Sequence, residues 1–98
     1  MREQKFGIEI ELTGITRRKA AEVIGKYLGR SSQYDGGYYE VYSVRDEQDR
    51  KWKVMYDSSI VATNRNGMPA GDKYKVELVS PICEYGDIPR IQEIVRRL

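Results

Sequence analysis

From Lys5 to Thr13 the chain alternates without a break. Phe6, Ile8, Ile10 and Leu12 are apolar, and Gly7, Glu9, Glu11 and Thr13 between them are not. Successive side chains of an extended chain point to opposite faces, so this period of two predicts a half-buried strand with carboxylates on its outer side. Such a strand needs a layer to cover its inner face. The next segment supplies one. Gly14 breaks the strand, Thr16 is a good N-cap, and Arg17–Leu28 puts Ala20, Val23, Ile24, Tyr27 and Leu28 on one helical stripe, closed by Gly29.

Further along, Ser31–Gly37 reads as a polar loop, and Tyr38–Val44 as a second strand rich in β-branched and aromatic residues. Asp46–Arg50 is a turn. Lys51–Asp57 is a third strand, with Trp52, Val54 and Tyr56 on one side and Lys51, Lys53, Met55 and Asp57 on the other. Asn64–Asp72, carrying Asn66-Gly67, Pro69 and Gly71, is a surface loop. Lys73–Ser80 is a fourth strand, with Tyr74, Val76 and Leu78 opposite Lys75, Glu77 and Val79, and Pro81 ends it. Asp87 caps a last helix with Pro89 in its first turn, and Ile88, Ile91, Ile94, Val95 and Leu98 form its apolar stripe. The order β-α-β-β-β-α predicts an α+β two-layer sandwich: a four-stranded, mainly antiparallel sheet with two helices on its apolar face. Ninety-eight residues hold one such core and not two, so residues 1–98 are expected to form a single domain.

Composition removes whole classes of function. There is no histidine, which excludes Ser-His-Asp triads, Cys-His dyads and His-ligated zinc within these residues. Cys83 is the one cysteine, so no internal disulfide forms, and a reducing, cytoplasmic setting is expected. No apolar run approaches membrane-spanning length, and no apolar stretch follows Met1-Arg2-Glu3-Gln4-Lys5 to make a secretory signal. Seventeen Lys and Arg stand against fifteen Asp and Glu, a net charge of +2. That is a weaker basic excess than duplex-binding proteins carry.

What remains is carboxylate, ammonium, guanidinium and hydroxyl chemistry, concentrated on the outer face of the sheet. Glu9 and Glu11, two residues apart in a strand, project the same way about 7 Å apart. With a third carboxylate on a neighbouring strand they would make an oxygen-rich pocket suited to Mg²⁺, and Lys53 and Lys75 nearby would complement phosphate charge. The alternative is a solvated face of cross-strand Glu–Lys pairs.

Three blocks then occur in order: Phe6-Gly7-Ile8-Glu9-Ile10-Glu11, Trp52-Lys53-Val54 with Asp57-Ser58-Ser59-Ile60, and Glu77-Leu78-Val79-Ser80-Pro81-Ile82. They resemble the amidoligase family, which is similar to the glutamine synthetase and glutamate–cysteine ligase superfamily of carboxylate–amine ligases. Its pattern runs roughly F-G-x-E-x-E, W-x-x-x-x-D-x-S, E-x-V-S-P. The resemblance implies that Glu9, Glu11 and Glu77 are metal ligands of a Mg²⁺–ATP site, and that Asp57 and Ser59 line the substrate side as catalytic residues. The implied reaction phosphorylates a carboxylate with ATP and lets an amine attack the acyl phosphate. Ser58 stands where family members often have Gly. The family also continues into a G-x-H-x-H-like strand that has no counterpart here, so the resemblance implies the N-terminal part of the fold, inactive alone.

Two other readings compete. Tyr38, Tyr39 and Arg45 are expected to be exposed, and Tyr and Arg favour protein interfaces. A small non-catalytic module of this kind binds a protein partner or itself, as phage and mobile-element inhibitors of host defence do in the anti-CRISPR manner. Tyr38, Tyr39 and Tyr42 beside basic residues would also suit base stacking by a single-strand nucleic-acid binder, although the element order differs from that of RNA-recognition sheets. Trp52 is expected in the core and Cys83 as a structural thiol.

Overall fold

The computed structural model describes residues 4–56 and 75–98. The Asn64–Asp72 loop, the start of the predicted fourth strand and the pair Asp57 and Ser59 lie outside these residues. Those described form β1 (Lys5–Phe6), β2 (Glu9–Leu12), α1 (Arg17–Leu28), β3 (Gln33–Gly36), β4 (Val41–Arg45), β5 (Lys51–Tyr56), β6 (Val76–Val79), β7 (Cys83–Glu84), a 3₁₀ turn (Tyr85–Asp87) and α2 (Ile88–Arg97). The α+β expectation holds, and the strand count is corrected. Among the described residues the main sheet has five antiparallel strands in the order β2-β6-β5-β4-β3, and β1 pairs with β7 in a separate two-stranded sheet.

Both corrections have local causes. The strand expected as unbroken from Lys5 to Thr13 divides at Gly7-Ile8, opposite the point where Ser80 and Pro81 interrupt the other chain. Proline cannot donate to a ladder, and Ser80 compensates. Its backbone N–H donates to Ile8 O at 2.9 Å, and its Oγ accepts from Ile8 N–H at 2.8 Å. Both chains step together at this point, after which Lys5 meets Glu84 and Phe6 meets Cys83. The polar loop expected at Ser31–Gly37 contains β3. Gln33 pairs with Ser43 and Tyr34 with Tyr42, with a bulge before Gly36 meets Val41. Pairing overrides the weak strand preference of this segment. Gly36 and Gly37, at φ 79° and 80°, turn the chain in a region where side chains are strained. The second strand accordingly starts at Val41 rather than Tyr38.

The core lies between the sheet and the two helices. Val44, Trp52, Val54, Val76 and Leu78 from the sheet pack with Ala20, Ala21 and Ile24 of α1, Ile91 and Ile94 of α2, and Cys83. Helix α1 begins with the Thr16 hydroxyl accepting from Lys19 N–H at 3.2 Å and ends at Gly29 in the left-handed conformation. Cys83 is fully buried, its thiol donating to Pro81 O, and burial pushes its pKa up. No helix among the described residues is long and apolar enough to cross a membrane.

Candidate functional site

The sheet face turned away from the helices carries Glu9, Glu11, Lys53, Lys75 and Glu77 of the residues singled out by sequence. Register sets their neighbours. Glu11 lies directly opposite Glu77 across β2 and β6, and Glu9, two positions along, lies opposite Val79. On the other side of β6, Lys53 is the partner of Val79 and Met55 the partner of Glu77. Lys75 precedes β6 by one residue, so alternation puts it on the face of Glu77. Directly opposed residues bring their Cβ atoms within about 4.5–5.5 Å, and two like charges so placed repel. Glu9 and Glu11 are exposed, while Glu77, Lys53 and Lys75 are half-buried.

The fold therefore assembles Glu9, Glu11 and Glu77 on one surface with Lys53 a strand away. Among the described residues no three His, Cys, Asp or Glu side chains converge closely enough to hold a metal ion. The donors still suit Mg²⁺ in kind. They are hard carboxylate oxygens, and this ion takes one or two of them, completing its octahedron with water and phosphate.

Sequence reasoning missed a second charged constellation. Asp46 is fully buried at the end of β4. Its Oδ1 accepts the backbone N–H groups of Gln48 at 2.9 Å and Arg50 at 3.0 Å. Its Oδ2 accepts Arg50 Nε and Trp52 Nε1, each at 3.0 Å, and Arg90 Nη1 at 3.4 Å. Arg50 then forks onto Asp87, with Nη1 and Nη2 donating at 2.9 and 2.8 Å, and Arg90 pairs with Glu47. Burial alone would push the Asp46 carboxyl up, but these hydrogen bonds and the Arg50 charge outweigh it and hold the pKa below its ordinary value. The Arg50 hydrogen bond lowers Asp87 to about 2. The network clamps the β4–β5 turn to the start of α2. One signal was available: a buried tryptophan needs an acceptor for its N–H, and Asp46, Glu47 and Asp49 all stand within six positions of Trp52.

Farther along the outer face the charge changes sign. Lys53 is the cross-strand partner of Ser43, and Lys51 of Arg45. Lys51 reaches Asp35 at 3.4 Å. A hydrogen bond from Ser43, aided by Lys51, lowers the Asp35 pKa. Arg30, Ser31, Gln33, Ser43 and Arg45 line a cleft of about 260 Å³ here. Beyond the sheet edge, Tyr34, Tyr38 and Tyr39 are exposed, Tyr38 to 80%.

A family model described as "Putative amidoligase enzyme" matches residues 2–98. No curated protein matches the chain, and no solved structure does.

Proposed function

Because the chain belongs to the amidoligase family, we propose that its outer sheet face is the Mg²⁺–nucleotide part of an ATP-dependent carboxylate–amine ligase site. The observation that carries this reading is the register that sets Glu11 directly against Glu77 with Glu9 beside them. Two carboxylates directly opposed across a sheet repel, and a cation bound between them would offset that repulsion. Glu9, Glu11 and Glu77 are the ligands. Bound there, Mg²⁺ would neutralise phosphate charge and orient the γ-phosphoryl group. Lys53 and Lys75 act as point charges for the phosphate oxygens. Asp57 and Ser59 belong to the substrate side, where the acid to be activated and the attacking amine meet. Residues 1–98 supply this Mg²⁺–nucleotide face as one domain.

Calorimetric titration of Mg²⁺–ATP into the intact chain tests the reading. Saturable binding that is lost in Glu9→Gln/Glu11→Gln is the expected result. A wild-type chain that binds no Mg²⁺–ATP overturns it.

The exposure of Tyr34, Tyr38 and Tyr39 at one sheet edge supports a second reading, a contact surface for a protein partner or for self-association, since exposed aromatics concentrate at interfaces. Sedimentation of the wild type against Tyr38→Ser/Tyr39→Ser decides whether it joins two copies. Identical monomer profiles at high concentration would end the self-association version.

A further inference from the structure

The cleft at the β3–β4 end of the outer face is built from donors. Ser43 and Arg45 alternate on β4, Gln33 lies opposite Ser43, and Arg30 and Ser31 close the rim from the turn that follows α1. These five lining residues bring two guanidinium groups, two hydroxyls and an amide, and no carboxylate. Arg45 is held by Asp49, its Nη1 donating to Asp49 O at 2.9 Å and lying 3.5 Å from the Asp49 carboxylate. The neighbouring Asp35 charge is met within the fold by Lys51 and by the Ser43 hydroxyl, which leaves Arg30, Arg45, Ser31 and Gln33 as the donors for a ligand. Counting Arg30, Arg45, Lys51 and Lys53 against Asp35 and Asp49 leaves this end of the face positive.

Its position relative to the glutamates is set by register. Glu9 faces Val79, Val79 faces Lys53, and Lys53 faces Ser43. Three strand spacings separate Glu9 from Ser43, about 14 Å, roughly the length of four extended residues.

We propose that this cleft binds an oxyanion, the carboxylate or phosphoryl group at the far end of a ligand whose other end lies over Glu9, Glu11 and Glu77. Two arginines at one rim match the paired oxygens of either group, which a guanidinium engages in fork geometry. The position of that other end rests on the Mg²⁺–nucleotide reading above; oxyanion binding in the cleft does not.

The test is a backbone-amide NMR titration of the intact chain, without Mg²⁺, using inorganic phosphate in one arm and succinate in the other. Chloride keeps the ionic strength constant, so that screening does not imitate binding. Saturable shifts confined to residues 30–33 and 43–45 are expected. They should weaken at least ten-fold in Arg30→Gln/Arg45→Gln and persist in Glu9→Gln/Glu11→Gln. The spectrum of each variant reports its fold directly, and Arg30→Lys, which keeps the charge, should retain part of the affinity. Tighter phosphate binding assigns the cleft to a phosphoryl group, and tighter succinate binding to the acid substrate. Absence of saturable shifts in both arms, or shifts unchanged in the double arginine variant, overturns the proposal. Loss of Mg²⁺–ATP binding in the glutamate variant with phosphate or succinate binding intact would uphold both readings. Loss of Mg²⁺–ATP binding in the glutamate variant, together with no saturable phosphate or succinate binding in the wild type, would retain the nucleotide reading and remove this one.

Discussion

At Gly25 two rules of helix chemistry pull in opposite directions. Glycine inside a helix costs about 0.5–1 kcal/mol relative to alanine, which recommends Gly25→Ala as a stabilising change. The structure reverses the sign. A Cβ at this position would lie 2.5 Å from the backbone oxygen of Arg30, in a turn where Arg30 N–H donates to Gly25 O at 2.9 Å. Gly25→Ala is therefore expected to destabilise the protein by about 1–3 kcal/mol in urea unfolding. Asp46 is the other residue whose weight is tertiary. Removing its carboxylate strands Trp52 Nε1, the Arg50 N–H and part of two guanidinium groups, so Asp46→Ala should lose about 3–5 kcal/mol, the cost of breaking a buried ion pair from one side. Trp52 could be assigned to the core from its place in an alternating strand. The role of Asp46 could not be read that way, because its donors come from positions as far apart as Gln48 and Arg90.

At the scale of elements, the joints matter more than the strands. Ser80 stitches the break between β1 and β2 to the break between β6 and β7, with bonds of 2.8 and 2.9 Å to Ile8. The resemblance to E-x-V-S-P drew attention to this serine as part of a motif, and the structure gives it a mechanical task. Ser80→Ala leaves the Ile8 N–H without its acceptor and should cost about 1–3 kcal/mol by thermal or urea unfolding. The joint between the β4–β5 turn and α2 is electrostatic and titrates. The Arg50 fork holds the Asp87 pKa well below its ordinary value of 3.8, at about 2. A lowered carboxylate pKa stabilises the fold above the ordinary value and loses that contribution as pH falls through the folded one. Stability should drop by about 2 kcal/mol across this acidic window, and urea titrations at a series of pH values should find the slope reduced in Asp87→Asn. Elements with strong periodicity, α1, β5 and α2, were legible in the sequence to within a residue or two. β3 was not, because Gln33-Tyr34-Asp35-Gly36 has no alternating pattern and exists as a strand through its pairing with β4.

For the whole molecule, the outer sheet face runs from carboxylates at β2 and β6 to cations at β5, β4 and the turn before β3. A face charged in this way should respond to divalent cations as a unit. Mg²⁺ at 100 times its dissociation constant would stabilise the fold by about 2.7 kcal/mol. The melting temperature of the wild type should therefore rise with Mg²⁺, and that of Glu9→Gln/Glu11→Gln should stay flat. A wild-type melting temperature unmoved by Mg²⁺ would mean that Glu11 and Glu77 face each other without serving as ligands. The local pattern of the chain determined the α+β class, the two amphipathic helices, the inward and outward side of three strands and the set of acidic and basic residues left outside. Each of these follows from a period of two or 3.6, and periodicity is a property of neighbours in sequence. Strand order, the stepped joint at Ser80, the buried Asp46 network and the opposition of Glu11 to Glu77 were decided by the tertiary structure. They depend on which residues, dozens of positions apart, come to share one register or one buried acceptor, and no local pattern encodes that meeting.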